Sequence, residues 1–464
     1  MSRLKRIVLI PLFALCFALP ALAQAEQAGP KIDTGDTSFM LVSSALVLFM
    51  TIPGLALFYG GLVRTKNVLG TLMQSFIMVG LITLQWVILG YSLAFAPGSS
   101  FLGGLEWLGL QNVGLDPNAD YAATIPHQVF MVFQLMFAII TPALMTGAFA
   151  ERMRFSTFLL FSLLWATFIY DPLAHWVWGV GGWLRNLGAL DFAGGTVVHI
   201  SSGISALVAV LIIGKRVDHG KTPTPPHNLP FAVVGASLLW VGWFGFNAGS
   251  ALGASSLAVS AFVVTHVAAS VAALAWMFAE WLASGKPTML GAASGAVAGL
   301  VAITPGSGFV SPLSAILIGA IAGVLCYTAV VMKSRFGYDD SLDVVGVHGV
   351  GGIWGALATG IFASRAINPA GADGLLYGNW ALMQSQIIAV VATVAFAAIG
   401  TAVILSVLKA VAGLRVSEED ERLGLDLSQH SESAYVFGAD YDETGQRRAP
   451  VSQPAPAKTI AEKA

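Results

Sequence analysis

Charge is what this sequence has least of. Asp, Glu, Lys and Arg make up 10 % of its 464 residues, against roughly 25 % in a soluble domain, so most of the surface cannot face water. Cysteine is nearly absent too. Cys16 lies in the N-terminal leader and Cys326 inside an apolar run, which excludes a disulfide framework and any Cys/His metal spacing. No basic cluster is present and the net charge is −2, so nothing speaks for nucleic-acid binding. What the chain does have is apolar length: 56 % hydrophobic residues and 51 glycines. Runs of about 20 apolar residues, enough to cross a bilayer core of roughly 30 Å, recur along most of it. This is the composition of an all-α polytopic membrane protein.

Residues 1–23 have the layout of a cleaved signal peptide, with a basic start (Arg3, Lys5, Arg6), a short apolar core and an Ala21-Leu22-Ala23 end. A retained first membrane helix is the competing reading. Cleavage implies a bacterial envelope protein, with residues 24–37 as a short periplasmic segment. An eleven-span domain, 38–411, is expected next, with spans near 39–63, 69–95, 125–149, 156–177, 195–213, 229–248, 258–284, 289–304, 312–332, 346–364 and 383–410. Arg64, Lys66, Arg152, Arg154, Lys215, Arg216, Lys221, Lys286, Lys333 and Arg335 fall in alternate loops, and the opposite loops hold only Arg185 and Arg365. The positive-inside rule makes the first set cytoplasmic. An odd number of spans then runs from an outer N-terminus to a cytoplasmic C-terminus. Residues 412–436 are polar and charged and are expected to form short turns against the cytoplasmic face, while 437–464, rich in Pro and Ala, read as disordered.

Against this background one costly pair occurs twice. In DFAGGTVVHIS (residues 191–201) and DSLDVVGVHGVGG (residues 340–352), a histidine follows an aspartate by eight positions: Asp191 with His199, Asp340 with His348. His199 enters the membrane from outside, about two helical turns deep, and His348 from the cytoplasm. Similar segments in opposite orientation imply an inverted repeat of spans one to five and six to ten, with a final long helix added and the functional site near the midplane. The aspartates stand where they cap the positive ends of their helices; direct substrate contact is the alternative. A lone membrane histidine is more often satisfied by a neighbouring carbonyl or Ser. Two at symmetric positions point to a pathway, because intramembrane ionisable groups are costly. Two histidines with no Cys or carboxylate at their depth would leave a metal underligated, so neither metal nor other cofactor is expected.

Aromatic residues form a second constellation. HQVFMVFQLMFAIIT places Phe130, Phe133 and Phe137 at helical spacing on one face; LLWVGWFGFNAGS adds Trp243, Phe246, Asn247 and Ser250; AHWVWGVGG puts Trp176 and Trp178 at an outer end. A packing stripe with an interfacial aromatic belt is the plain reading. A cage attracting a small cation through ring quadrupoles is the functional one.

The stretches VLFMTIPGLALFYGGLVRTKNVL, GALDFAGGTVVHI, GKRV, HNLP, GWFGFNAGS, DVVGVHGVGGIWG and GLRVSEEDERLGLD resemble the ammonium transporter (Amt/Mep/Rh) family, in its bacterial Amt branch, across roughly residues 36–436. The resemblance implies a homotrimer with one pore per subunit, five-plus-five inverted helices and an eleventh, and ammonium uptake across the inner membrane rather than an enzymatic reaction. It assigns Phe133, Trp178 and Ser250 to ammonium recruitment, Phe137 and Phe246 to a pore gate, and His199 and His348 to the apolar pore below. Asp191 is implied to shape the outer site electrostatically, and Trp243, Thr304 and Asp340 fall on family positions with less definite roles. The GLRV…GLD…H…E…AY part of the tail matches the segment that couples family members to PII signalling proteins. An ammonium sensor of the same fold, signalling through that tail and PII, is the alternative.

Overall fold

The computed structural model describes residues 31–435, whose regular structure is helical apart from a short antiparallel pair of strands, Pro117–Asn118 and Ala122–Pro126. The expected signal peptide, residues 24–30 of the outer segment and the 437–464 tail lie outside the described residues. Among the described residues, ten helices are long and apolar enough to cross a membrane: α1 Thr34–Leu62, α2 Thr65–Phe95, α3 His127–Met145, α4 Phe155–Asn186, α5 Gly195–Ile213, α6 Leu229–Gly249, α7 Ser256–Ser284, α9 Pro312–Phe336, α10 Val345–Phe362 and α11 Trp380–Val411. The eighth expected span corresponds to α8, Met289–Ile303, which is apolar but only 15 residues long. In the tail, α12 (Glu418–Leu423) and α13 (Leu425–His430) form the short turns expected there.

Local chemistry sets many of the helix ends. Asp33, Asn228, Ser255, Thr288, Ser311 and Asn379 each accept an N–H of the first turn they precede, satisfying donors that the helix leaves unpaired. Gly285 and Gly337 end α7 and α9 in the left-handed region, at φ 79° and 73°, a conformation that costs glycine little.

Two crossings position the centre of the molecule. A Cβ at Gly235 of α6 would lie 2.2 Å from the Phe58 backbone nitrogen of α1, and one at Gly203 of α5 would lie 2.1 Å from the Gly349 nitrogen of α10. Helix one thus meets helix six, and helix five meets helix ten. Both histidine-bearing helices open on a widened π-helical turn, Gly195–Ile200 and Val345–Val350, a feature concentrated at functional sites. His199 therefore sits in the opening turn of α5. The 32-residue α11 packs across α4, α5 and α10. On it, the Gln386 amide donates to both Leu190 O and Ala356 O at 2.9 Å while its oxygen accepts Leu190 N–H at 2.7 Å.

At the end of the molecule that carries the tail, the loops are joined by buried charges. Glu151 pairs with Arg64 (2.7 Å) and Arg216 (3.2 Å), and Arg216 reaches on to Asp339 (2.8 Å). Burial alone would raise both carboxyls, but these arginines hold each below the usual carboxylate range, Asp339 well below it. The tail docks on this frame. Glu421 pairs with Arg415 (2.6 Å) and accepts Val217 N–H (2.6 Å), and Asp426 accepts Gly70 N–H (2.8 Å) at the start of α2.

Candidate functional site

The two histidines meet. His199 and His348 face each other through their Nδ1 atoms at 3.2 Å, rings nearly parallel with centroids 5.3 Å apart, and both are buried. A neutral imidazole carries one N–H, so one Nδ1 donates, the other accepts, and the contact holds a single proton. The glycine four residues after each histidine makes the approach possible. Gly203 packs on the Gly349 backbone beside His348, and Gly352 packs on His199 and Ile200.

Around the pair lies a narrow chamber of about 10 Å³, walled mainly by apolar groups such as Ile140, Val198, Leu239, Trp243 and Phe246. A single water needs roughly 10–15 Å³, so the chamber admits one small molecule. Tyr59 contributes the other polar atom, but its hydroxyl is occupied by Leu144 O at 3.0 Å. His199 stacks on Trp243 (5.5 Å, 22°), whose indole N–H is held by Thr304 Oγ1 at 2.9 Å. His348, Tyr59 and Val297 also line a second cavity of about 110 Å³, with Asp343 and Ser341.

Above the chamber, the Phe137 and Phe246 rings pack against each other, tilted by 38° with centroids 4.2 Å apart. Phe137 lines the outer cavity and Phe246 the chamber. The outer cavity, about 240 Å³, is lined by Trp178, Ser250, Phe130, Tyr121, Gln134, Asp120, Arg185 and Asp191 among others. The Ser250 hydroxyl donates to Phe246 O (2.9 Å), leaving its lone pairs to accept an N–H. The structure thus brings Trp178 and Ser250 to this cavity, but Phe133 lies fully buried behind Phe137, edge to face at 5.0 Å, and does not line it.

Both aspartates cap their histidine's helix. Asp191 accepts Gly194 and Gly195 N–H through Oδ1 (2.7 and 2.6 Å) and Thr196 N–H through Oδ2 (2.7 Å), with the Thr196 hydroxyl also bonded to Oδ2. Asp340 accepts Val345 N–H at 2.8 Å, and burial pushes its carboxyl up to about 6, an effect Lys333 opposes. Neither carboxylate lies against the histidine pair.

Sequence reasoning passed over several lining groups. Arg185 appeared only as an exception in the loop-charge pattern, and Tyr121, Gln134 and Asp120 not at all. Asp171 was also missed: it is buried within α4 and bonded to the Gln85 amide at 2.6 Å. A carboxylate inside a span is itself the signal that would have found it.

Residues 38–435 match the family described as Ammonium Transporter Family. The ammonium transporter of Bacillus subtilis is 56 % identical over 405 residues, covering 87 % of this chain and 99 % of that protein. The crystal structure of Saccharomyces cerevisiae Mep2 superimposes with a TM-score of 0.78 at 38 % identity, over 83 % of this chain and 91 % of that one. A Sensor Amt Protein gives 0.78 at 28 % identity, over 85 % and 98 %. A multi-pass helical membrane protein with these likenesses belongs to the ammonium transporter family.

Proposed function

We propose that the chain transports ammonium across the bacterial inner membrane: an outer aromatic cage recruits the cation, a proton is removed at the gate, and ammonia crosses an apolar pore while the proton passes along His199 and His348. The observation that carries this is the 3.2 Å Nδ1 contact inside an otherwise apolar chamber closed above by two tilted, closely packed rings. Ammonium and potassium share size and charge, so a pore that must tell them apart needs a property only one possesses. A removable proton is that property. An apolar chamber makes a bare ion very costly, so potassium stops where ammonium gives up its proton and continues neutral.

In this reading Trp178 and Ser250 hold the cation, with Phe133 backing Phe137. Phe137 and Phe246 are the gate. Trp243, fixed by Thr304, supports the His199 ring, and Asp191 and Asp340 fix the helix ends. Eleven spans, α8 included, form each subunit of a homotrimer in the lipid bilayer, with a periplasmic N-terminus and a cytoplasmic C-terminus. The docked tail offers a PII protein a shaped cytoplasmic face. A sensor of the same fold is the second reading, favoured by that ordered tail and by the likeness to the Sensor Amt Protein. The twofold higher identity to a transporter weighs against it.

The test is a current measurement in proteoliposomes, with ammonium, potassium and the pH gradient varied separately. Ammonium-driven current without potassium current is the expected result. Ammonium binding with no current and no uptake would replace the transporter with the sensor.

A further inference from the structure

Arg185 is, with Arg365, one of two basic residues in the loops read as outer, and it stands at the mouth of the cavity proposed to gather a cation. Its Nη1 donates to the Trp178 carbonyl at 2.7 Å, which fixes the guanidinium beside the recruiting ring. The ionisable side chains lining that cavity are Asp120, Tyr121, Arg185 and Asp191. The Asp191 charge is taken up by the backbone N–H groups it caps. Burial pushes the Tyr121 phenol up to about 12, so it is neutral. That leaves Arg185 and Asp120, both exposed, as the opposed free charges of the vestibule.

We propose that Arg185 and Asp120 set the affinity for the incoming cation: Arg185 is a fixed positive charge that weakens ammonium binding and Asp120 offsets it. The inference rests on the outer cavity being the recruitment site for ammonium. A unit charge several Å from a cation in a wet vestibule changes its binding by a factor of about two to five at low salt, and charge-lined clefts amplify such effects. The same exposure makes the effect salt-dependent, since the Debye length falls from roughly 30 Å at 0.01 M to 3 Å at 1 M.

Arg185 has a competing role as a clamp on Trp178, and the two roles predict opposite signs. Initial rates of ammonium-driven current are measured in proteoliposomes for the full chain, Arg185→Gln, Arg185→Lys and Asp120→Asn, at low and high sodium chloride. The charge reading expects Arg185→Gln to lower KM by about two- to fivefold at low salt, with kcat unchanged and the difference gone near 1 M salt. Arg185→Lys should keep the KM of the parent chain. Asp120→Asn, which does not touch Trp178, should raise KM by a similar factor. A raised KM or a lowered kcat in Arg185→Gln that persists at high salt would overturn the proposal and make Arg185 a clamp. So would an Asp120→Asn KM that does not move. Absence of ammonium current from the parent chain itself would remove the transport reading, and this inference with it.

Discussion

A single methyl group at Gly203 tests whether helix spacing sets the histidine contact. In Gly203→Ala the new Cβ would stand 2.1 Å from Gly349 N and 2.4 Å from its Cα. Atoms of this kind rest about 3.5 Å apart or more, so α5 and α10 must separate locally by about 1.4 Å. Carried to the rings, that shift takes the 3.2 Å Nδ1 contact to about 4.6 Å, outside hydrogen-bond range. Overpacking of this size costs about 1–3 kcal/mol, which lowers the melting temperature without unfolding the protein. Misplacing a transfer geometry by 1 Å costs on the order of 100-fold in rate, so the ammonium-driven current should nearly vanish. Two neighbours grade the effect. At Gly352 a Cβ would lie 3.0 Å from His199 Cβ, and at Gly349 its nearest neighbour is 3.5 Å away. Alanine should be partly damaging at the first and silent at the second. Current in proteoliposomes and a thermal melt of the purified protein read the two effects separately. A Gly203→Ala current within twofold of the parent, or equal losses at all three glycines, would refute the reasoning.

His348→Leu should abolish ammonium-driven current while the protein stays folded, since it leaves His199 Nδ1 unpartnered at about 1–3 kcal/mol; undiminished current would remove the histidine relay. Asp191→Asn places an amide against N–H donors that need an acceptor, and should cost about 2–4 kcal/mol by thermal melting. Unchanged stability with lost affinity would instead make Asp191 a direct ligand of the ion. The Asp339 carboxyl lies well below its unfolded value near 4 because of Arg216 and Arg152, so its stabilisation is complete above that value and is lost as pH falls through its folded pKa. The melting difference between the parent and Asp339→Asn, about 3 kcal/mol for a broken buried pair, should be level above about pH 5 and shrink below about pH 4; a gap that widens on acidification would reverse the assignment.

The histidine pair was legible because two intramembrane histidines with the same aspartate spacing are costly enough to demand a common cause. Helix existence was equally plain from the apolar runs, and most boundaries moved by only a few residues. The π-helical turn that carries His199 was not legible, because such a turn has no clear signature in DFAGGTVVHIS. Phe133 and Phe137, four residues apart, read as one face, but the Phe246 ring and the outer loop put one in the cavity and the other behind it. The clasp of buried charges was hidden for another reason. Arg64, Glu151, Arg216 and Asp339 are dispersed in sequence, and only the folded packing of the helices brings their loops together.

The long α11 has a consequence for how this molecule works. At about 1.5 Å per residue it is about 48 Å long, half again the bilayer core, so it crosses at a slant over both halves. Gln386 hydrogen-bonds to each of them at once. Transporters built from inverted repeats commonly work by rocking one repeat against the other. On the proposed reading, a brace pinned to both sides, over a crossing too tight for a methyl group, opposes such rocking. Turnover would then follow the cargo and its proton, and would be insensitive to lipid viscosity.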